Sequence, residues 1–139
     1  MRQDRRGFSL VETMVVIGIF GLLAALSLPA FSSYVRNNRL STSVDRFAAD
    51  LQLARSTAIA SGRVVQVAVR TDGYAVTDVS TGTVLTSRDF ESGVAVSAAS
   101  TVRFFPWGQS DAHNFSVGGC SGTSSRTVNL LPTGAVEVH

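Results

Sequence analysis

The spacing of apolar residues divides the chain into an uncharged apolar segment, a helix with one apolar face and a series of alternating strands. Residues 13–35 contain no charge in 23 consecutive positions and are rich in Leu, Ile, Val and Phe. As a helix this segment spans about 34 Å, slightly more than the about 30 Å of hydrocarbon in a bilayer. The segment is therefore predicted to cross a membrane once.

Beyond position 35, apolar residues recur at spacings of three and four, the period of a helix that covers one face. The residues on this face are Leu40, Val44, Phe47, Leu51, Ala54 and Ala58. Charged residues occupy the other faces, where solvent is expected to surround them. Arg46 and Asp50 are four positions apart and are predicted to pair along the helix. The whole helix is predicted over residues 8–60, ended by Ser61 and Gly62.

The remaining residues, 62–139, predict short strands separated by turns that contain Gly, Ser or Pro. The predicted strands are residues 63–70, 74–79, 83–86, 94–98, 101–105, 126–131 and 135–138. No later segment has the length and period of a crossover helix, so an antiparallel sheet or pair of sheets is predicted. The valines at 65, 67 and 69 are expected to face the helix. The glycine-rich residues 118–125 are predicted to form a flexible loop.

Charge is concentrated at the N-terminus. All 12 basic residues are arginines, against 10 acidic residues, which gives a formal net charge of +2. Arg2, Arg5 and Arg6, opposed only by Asp4, account for this excess, and the rest of the chain is neutral. The positive-inside rule leaves the N-terminus in the cytoplasm and the C-terminal domain across the membrane. A neutral body does not by itself indicate binding to nucleic acid.

A cleaved secretory signal peptide is an alternative, since it also begins with basic residues and an apolar run. It would release a soluble protein, for instance an enzyme, with a mature N-terminus beyond Pro29. The run is longer than the usual about 7–15 residues, and Glu12 lies at its entrance. A carboxylate at this depth is either hydrated among lipid headgroups or paired with a cation. The residues alone leave both interpretations of Glu12 open.

The sequence RRGFSLVE at residues 5–12, followed at once by the apolar run, resembles the N-terminal signature of type IV pilins and type II secretion pseudopilins. The resemblance implies that a prepilin peptidase cleaves after Gly7 and that the new N-terminal residue, Phe8, is N-methylated. It also implies that Glu12 meets the terminal amine of a neighbouring subunit, so that each charge compensates the other. Pro29 matches the family's helix kink, and proline bends a helix because it removes an amide donor.

Later motifs narrow the resemblance to the GspH/FimT branch of minor pseudopilins and minor pilins. These motifs lie at residues 38–40, 51–59, 62–65, 103–108 and 132–136. The implied fold is α+β and type IV pilin-like, with a long N-terminal transmembrane helix packed on an antiparallel sheet domain. Its expected parts are a leader at residues 1–7, a transmembrane and assembly segment at 8–35, the outer half of the helix at 36–61 and a β-rich domain at 62–139.

The resemblance implies a structural subunit of a type II secretion pseudopilus or a type IV pilus, held in the bacterial inner membrane with a periplasmic C-terminal domain. The implied partners are other pilins or pseudopilins, the prepilin peptidase and the inner-membrane assembly platform. The alternative is a minor pilin that binds DNA during natural transformation. DNA-binding members carry basic residues after a glycine near the C-terminus, whereas Gly134 precedes Ala135 and Val136. Arg103 and Arg126 are the remaining candidate DNA contacts.

Residues suited to catalysis or to metal binding are few, and no enzyme activity, cofactor or metal is predicted. One cysteine and two histidines cannot complete a four-ligand zinc site. Cys120 and His113 lack a third group to orient them as a nucleophile and base. Cys120 is therefore expected to be buried or to pair with another chain. Trp107, between a proline and a glycine, is either an exposed contact residue or a partly buried aromatic residue of a turn, and the second is the favoured prediction.

Overall fold

The computed structural model describes residues 9–119 and 124–139, apart from the side chains of residues 26–30. Within these ranges the chain forms one helix, α1 (Leu10–Ser61), followed by eight strands. The strands are β1 (Val65–Val69), β2 (Gly73–Asp78), β3 (Val84–Asp89), β4 (Val94–Val96), β5 (Ser100–Phe104), β6 (His113–Gly119), β7 (Ser125–Leu130) and β8 (Val136–Val138). The chain divides into two compact units, Met1–Val35 and Arg36–His139.

The strands of the second unit form two four-stranded antiparallel sheets. The first sheet has the order β3-β2-β1-β5, and the second has the order β4-β6-β7-β8. β1 pairs with both β2 and β5, so the strands predicted at residues 63–70 and 74–79 form an antiparallel hairpin. The prediction of an α+β chain with antiparallel sheets is also confirmed.

Strand β6 is the main departure from the sequence prediction. It lies between β4 and β7 in the second sheet, where Phe115 and Val117 are buried. Gly118 and Gly119 belong to this strand and Ser125 belongs to β7, so the loop predicted over residues 118–125 is wrong at these positions. Asn and Gly, which make up three of the seven residues of β6, have low strand propensity, but pairing on both sides of the strand outweighs it here.

The core of the second unit lies between α1 and the inner faces of the sheets. All six residues of the predicted apolar helix face are buried, as are Val65, Val67 and Val69. The ring of Phe47, which is 0% exposed, lies 4.9 Å from the ring of Tyr74 on β2 and 5.2 Å from that of Phe115 on β6. Phe47 therefore joins the helix to both sheets through one aromatic cluster.

Candidate functional site

The N-terminal part of α1 presents an apolar surface within the first unit. The exposed large apolar side chains here are Leu10, Val11, Met14, Val15, Val16, Ile17, Ile19, Phe20, Leu22 and Leu23. An exposed apolar surface of this extent is typical of a segment that contacts a partner or a membrane. Among residues 9–119 and 124–139, no helix combines the length and apolar character needed to cross a bilayer. The membrane crossing predicted for residues 13–35 remains a prediction.

Glu12 lies in the first turn of α1, and its side chain is exposed. A carboxylate there is favourable because the unpaired amides of the first turn carry partial positive charge. Gly7 and Phe8, the predicted cleavage and methylation positions, lie outside the described residues. α1 is continuous through position 29, and the bend predicted at Pro29 remains a prediction. The pairing of Glu12 with the terminal amine of a neighbouring subunit also remains a prediction.

Asp50 accepts one short hydrogen bond and forms one ion pair on the outer half of α1. Its Oδ2 lies 2.7 Å from the hydroxyl of Tyr74 and 2.9 Å from Nε of Arg88, and only 14% of its side chain is exposed. Arg46 instead donates to Glu91 at 3.1 Å. The predicted pair between Arg46 and Asp50 is therefore wrong. Instead, Tyr74 on β2 and Arg88 on β3 contact this face of α1. The face is therefore not the solvated surface predicted from the helix alone.

Tyr74 is buried beneath this ion pair. Two effects raise the pKa of Tyr74 well above its usual range. The larger is burial, and the second is the hydrogen bond that the Tyr74 hydroxyl donates to Asp50. Both causes favour the neutral phenol, since burial penalises the phenolate and Asp50 repels it. The folded protein therefore retains a proton that the unfolded chain releases near pH 10.

This difference predicts a loss of stability at alkaline pH. Since the pKa is raised by folding, the stabilisation is complete below about pH 10 and declines by about 1.4 kcal/mol per pH unit above it. In a Tyr74→Phe variant this decline should be absent. Urea unfolding of both proteins in detergent, followed by circular dichroism from pH 8 to 11, measures the difference. The other titrating groups contribute equally to the stability of both proteins, so their effects cancel in the comparison. Parallel pH profiles for the two proteins would therefore contradict the role assigned to the Tyr74 hydroxyl.

Asp78 stabilises the turn that follows β2. Its carboxylate accepts bonds from the hydroxyl of Ser80 at 2.6 Å, from the Ser80 amide at 2.8 Å and from Arg63 at 3.3 Å. These bonds, the Ser80 hydroxyl first, lower the pKa of Asp78 to about 2. The carboxylate is ionised at neutral pH, and its contribution to stability is lost only as the pH falls from about 4 towards 2. These contacts give Asp78 a role in the turn.

Two glycines allow a close contact between the turn after β5 and the turn before β8. Nε of Arg55 on α1 donates to the carbonyl oxygen of Gly108 at 3.0 Å. Gly108 and Gly134 have φ angles of 84° and 76°, which disfavour other residues. A Cβ atom at Gly134 would also collide with the carbonyl oxygen of Gly108 and lie 2.8 Å from Nε of Arg55. The glycine motif near the C-terminus thus has a packing role in this chain.

Arg103 and Arg126, the candidate DNA contacts, lie on different sheets. Nε of Arg103 on β5 pairs with Asp111 at 3.2 Å, and its guanidinium carbon lies 6.0 Å from the ring centre of Phe105. Arg126 is exposed on β7. The salt bridge partly neutralises Arg103, so these two arginines do not form a continuous basic surface.

Trp107 is 68% exposed, so the favoured prediction of a partly buried residue is wrong and the exposed alternative holds. One face of its indole stacks on Phe105, with ring centres 5.2 Å apart and planes inclined by 4°. Its Nε1 donates to Oε1 of Gln109 at 3.1 Å. Because the stack and this hydrogen bond hold the ring within the turn, the indole is ordered without being buried.

Each of the two histidines lies close to another side chain of the second unit. The ring of His113 lies 4.6 Å from that of Phe115, and Nε2 of His139 lies 3.6 Å from a Glu137 oxygen. Within the part of the chain that the structure describes, no three His, Cys, Asp or Glu side chains are grouped to hold a metal ion. Cys120 lies outside that part, so its predicted burial or pairing stays a prediction.

A long N-terminal helix, two antiparallel sheets and a prokaryotic N-terminal methylation motif at residues 2–28 define a type IV pilin-like protein. The family described as Type II transport protein GspH matches residues 43–134. The chain belongs to this GspH family.

Similar proteins include fimbrial proteins and a minor pilin. The chain is 46% identical to the fimbrial protein EcpC of Eikenella corrodens over 41 residues, which are 30% of this chain and 27% of EcpC. It is 44% identical to the prepilin peptidase-dependent protein D of Escherichia coli over 43 residues, which are 31% of this chain and 30% of the relative. The chain therefore matches less than a third of the length of these relatives.

The crystal structure of the type IV minor pilin FimU of Pseudomonas aeruginosa superposes with a TM-score of 0.64 and 18% identity. The superposition covers 76% of this chain and 92% of FimU. This likeness confirms the predicted type IV pilin-like fold. The comparisons give no support to the DNA-uptake alternative.

Proposed function

We propose that this protein is a minor structural subunit of a type IV pilus or of a type II secretion pseudopilus. The observation that carries the proposal is the exposed apolar surface of α1 between Leu10 and Leu23, joined in one helix to a GspH-family domain. A surface of this kind is stable only when covered, first by lipid and then by the helices of neighbouring subunits. Its work is assembly, and its partners are other pilins or pseudopilins.

The N-terminal motif supports a proposal for processing and location. A prepilin peptidase removes residues 1–7 after Gly7, and Phe8 is then N-methylated. The arginines of the leader keep this end in the cytoplasm, while the unit Arg36–His139 lies in the periplasm. The inner-membrane assembly platform then moves the subunit into the filament.

The test of this function is the presence of the mature protein in purified filaments. Filaments sheared from cells that express the full chain should contain it as a minor component, and mass spectrometry should find an N-terminal peptide that begins with methylated Phe8. In cells without the prepilin peptidase, the protein should keep residues 1–7 and stay out of the filaments. A mature N-terminus beyond Pro29, or filaments that lack the protein, would refute the proposal.

A further inference from the structure

We propose that the outer edge of β3 binds an extended, uncharged segment of another polypeptide, which adds to the first sheet as a fifth strand. The inference does not depend on the protein's place in a filament. β3 is the terminal strand of its sheet, and it is six residues long. Such an edge presents backbone donors and acceptors that only another extended chain can satisfy in register.

The other sheet edges are protected in ways that β3 is not. β4 and β8, at the edges of the second sheet, have three residues each. The outer side of β5 is covered by the segment after it, through a bridge between Phe104 and Ser110 and a bond from the Asp111 amide to Arg103 at 3.1 Å. Within residues 9–119 and 124–139, no strand pairs with the outer side of β3. β3 contains no proline; its two charged residues, Arg88 and Asp89, are confined to its C-terminal end, and the register shift in its pairing with β2 is confined to its N-terminal end.

The register of β3 shows which of its backbone groups face outward. The Phe90 amide donates to the Asp72 carbonyl at 2.8 Å, and the register continues with Arg88 opposite Tyr74. Hydrogen-bonded and non-hydrogen-bonded positions alternate along an antiparallel pair. The backbone groups of Arg88 therefore face β2, while the N–H and C=O of Ser87 and Asp89 face outward.

A groove beside β3 provides space for an apolar side chain of the added strand. Its volume is about 150 Å³, and it lies between α1 and the hairpin of β2 and β3. Leu53 and Leu85, which are 55% and 45% exposed, line it together with Val76. In strand addition the main chain supplies affinity, and pockets of this kind select the side chains.

The charges around β3 indicate that the bound segment is uncharged. Arg88 is paired with Asp50 at 2.9 Å, and Asp89 lies 3.9 Å from Arg70. The four residues that precede them, Val84 to Ser87, carry no charge. A charged side chain that entered the groove would lose hydration, and the one carboxylate of the groove's lining, that of Asp50, is already paired with Arg88.

Replacement of Ser87 tests the backbone contact directly. Proline at this position removes an outward N–H and leaves the bonds between β2 and β3 in place, whereas the Ser87→Ala control keeps the donor. The probe is a capped, fluorescein-labelled peptide, Thr-Val-Thr-Val-Thr-Val-Thr, mixed with the full chain in detergent and followed by fluorescence anisotropy. Wild type and Ser87→Ala should bind it saturably, and Ser87→Pro at least tenfold more weakly. Absence of saturable binding to wild type, or equal binding by a folded Ser87→Pro variant, would overturn the proposal.

A second pair of variants tests the groove and covers the case in which Ser87→Pro does not fold. Leu85→Glu places a charge in the groove and should weaken peptide binding at least tenfold. Val138→Glu adds the same charge on β8 of the second sheet, at a residue that is 37% exposed and does not line the groove, and it should bind as wild type does. Equal binding by both variants would exclude the groove. Self-association of wild type that Ser87→Pro abolishes would assign the edge to a second copy and reject the proposed segment.

Discussion

We expect that replacing Glu12 with glutamine lowers the amount of the protein in filaments by about 100-fold or more, with the leader still removed after Gly7. In the assembled state the carboxylate would lie among apolar helices, opposite the methylated amine of a neighbouring Phe8. Removing one partner of a buried ion pair typically costs about 3–5 kcal/mol, and each 1.4 kcal/mol changes an equilibrium about tenfold. The weaker effect of losing a charge at a helix N-terminus, about 0.3–1 kcal/mol, would not account for this loss.

The matched control is Glu137→Gln, which makes the same chemical change at an exposed carboxylate on β8. Its abundance in filaments should equal that of wild type. Quantitative mass spectrometry of sheared filaments and of the membrane fraction measures both variants. If Glu12→Gln entered filaments at the wild-type level, Glu12 would be a hydrated residue at headgroup depth, and the proposed pairing would be rejected.

Replacing Phe47 with alanine should lower the free energy of unfolding of the second unit by about 3–5 kcal/mol. The Phe47 side chain is fully buried, and its ring contacts Tyr74 on one sheet and Phe115 on the other. Truncation removes both contacts and leaves a cavity where helix and sheets meet. Since domains of this size are stable by about 5–15 kcal/mol, the variant should be largely unfolded at moderate urea concentrations.

Leu53→Ala is the control for this substitution, since Leu53 is on the same helix but is 55% exposed. Its effect should be below about 1 kcal/mol, because little apolar area leaves or enters water. Urea unfolding of the full chain in detergent, followed by far-ultraviolet circular dichroism, compares the two variants with wild type. Similar midpoints for Phe47→Ala and Leu53→Ala would contradict the central role of the aromatic cluster.

The helix and its buried face could be predicted because their signal is local and periodic. Leu40, Val44 and Phe47 repeat at helical spacing, and all are buried as expected. The helix ends at Ser61, as the Ser61-Gly62 pair predicted, because Gly62 adopts a φ of 65° that stops the helix. The valines of β1 alternate strictly, so one face of that strand could be assigned to the core from the sequence alone.

The features that sequence reasoning missed depend on contacts between distant residues. Nothing near Asp50 in the sequence indicates that Tyr74 and Arg88 approach it, because the register of β2 and β3 decides that contact. Strand β6 has a weak local signal, since only Phe115 and Val117 mark its inner face. The open edge of β3 also could not be predicted from the sequence, because it depends on the order of strands in the sheet.

Trp107 is the single tryptophan of the chain, and its exposure has a consequence for spectroscopy. Its fluorescence emission in the native protein should already have the wavelength of a hydrated indole, so melting of the aromatic cluster around Phe47 will shift it little. Quenching by acrylamide or iodide will instead report on the tip of the connection between β5 and β6. A blue shift on addition of a partner would therefore map contact at that tip without any introduced label.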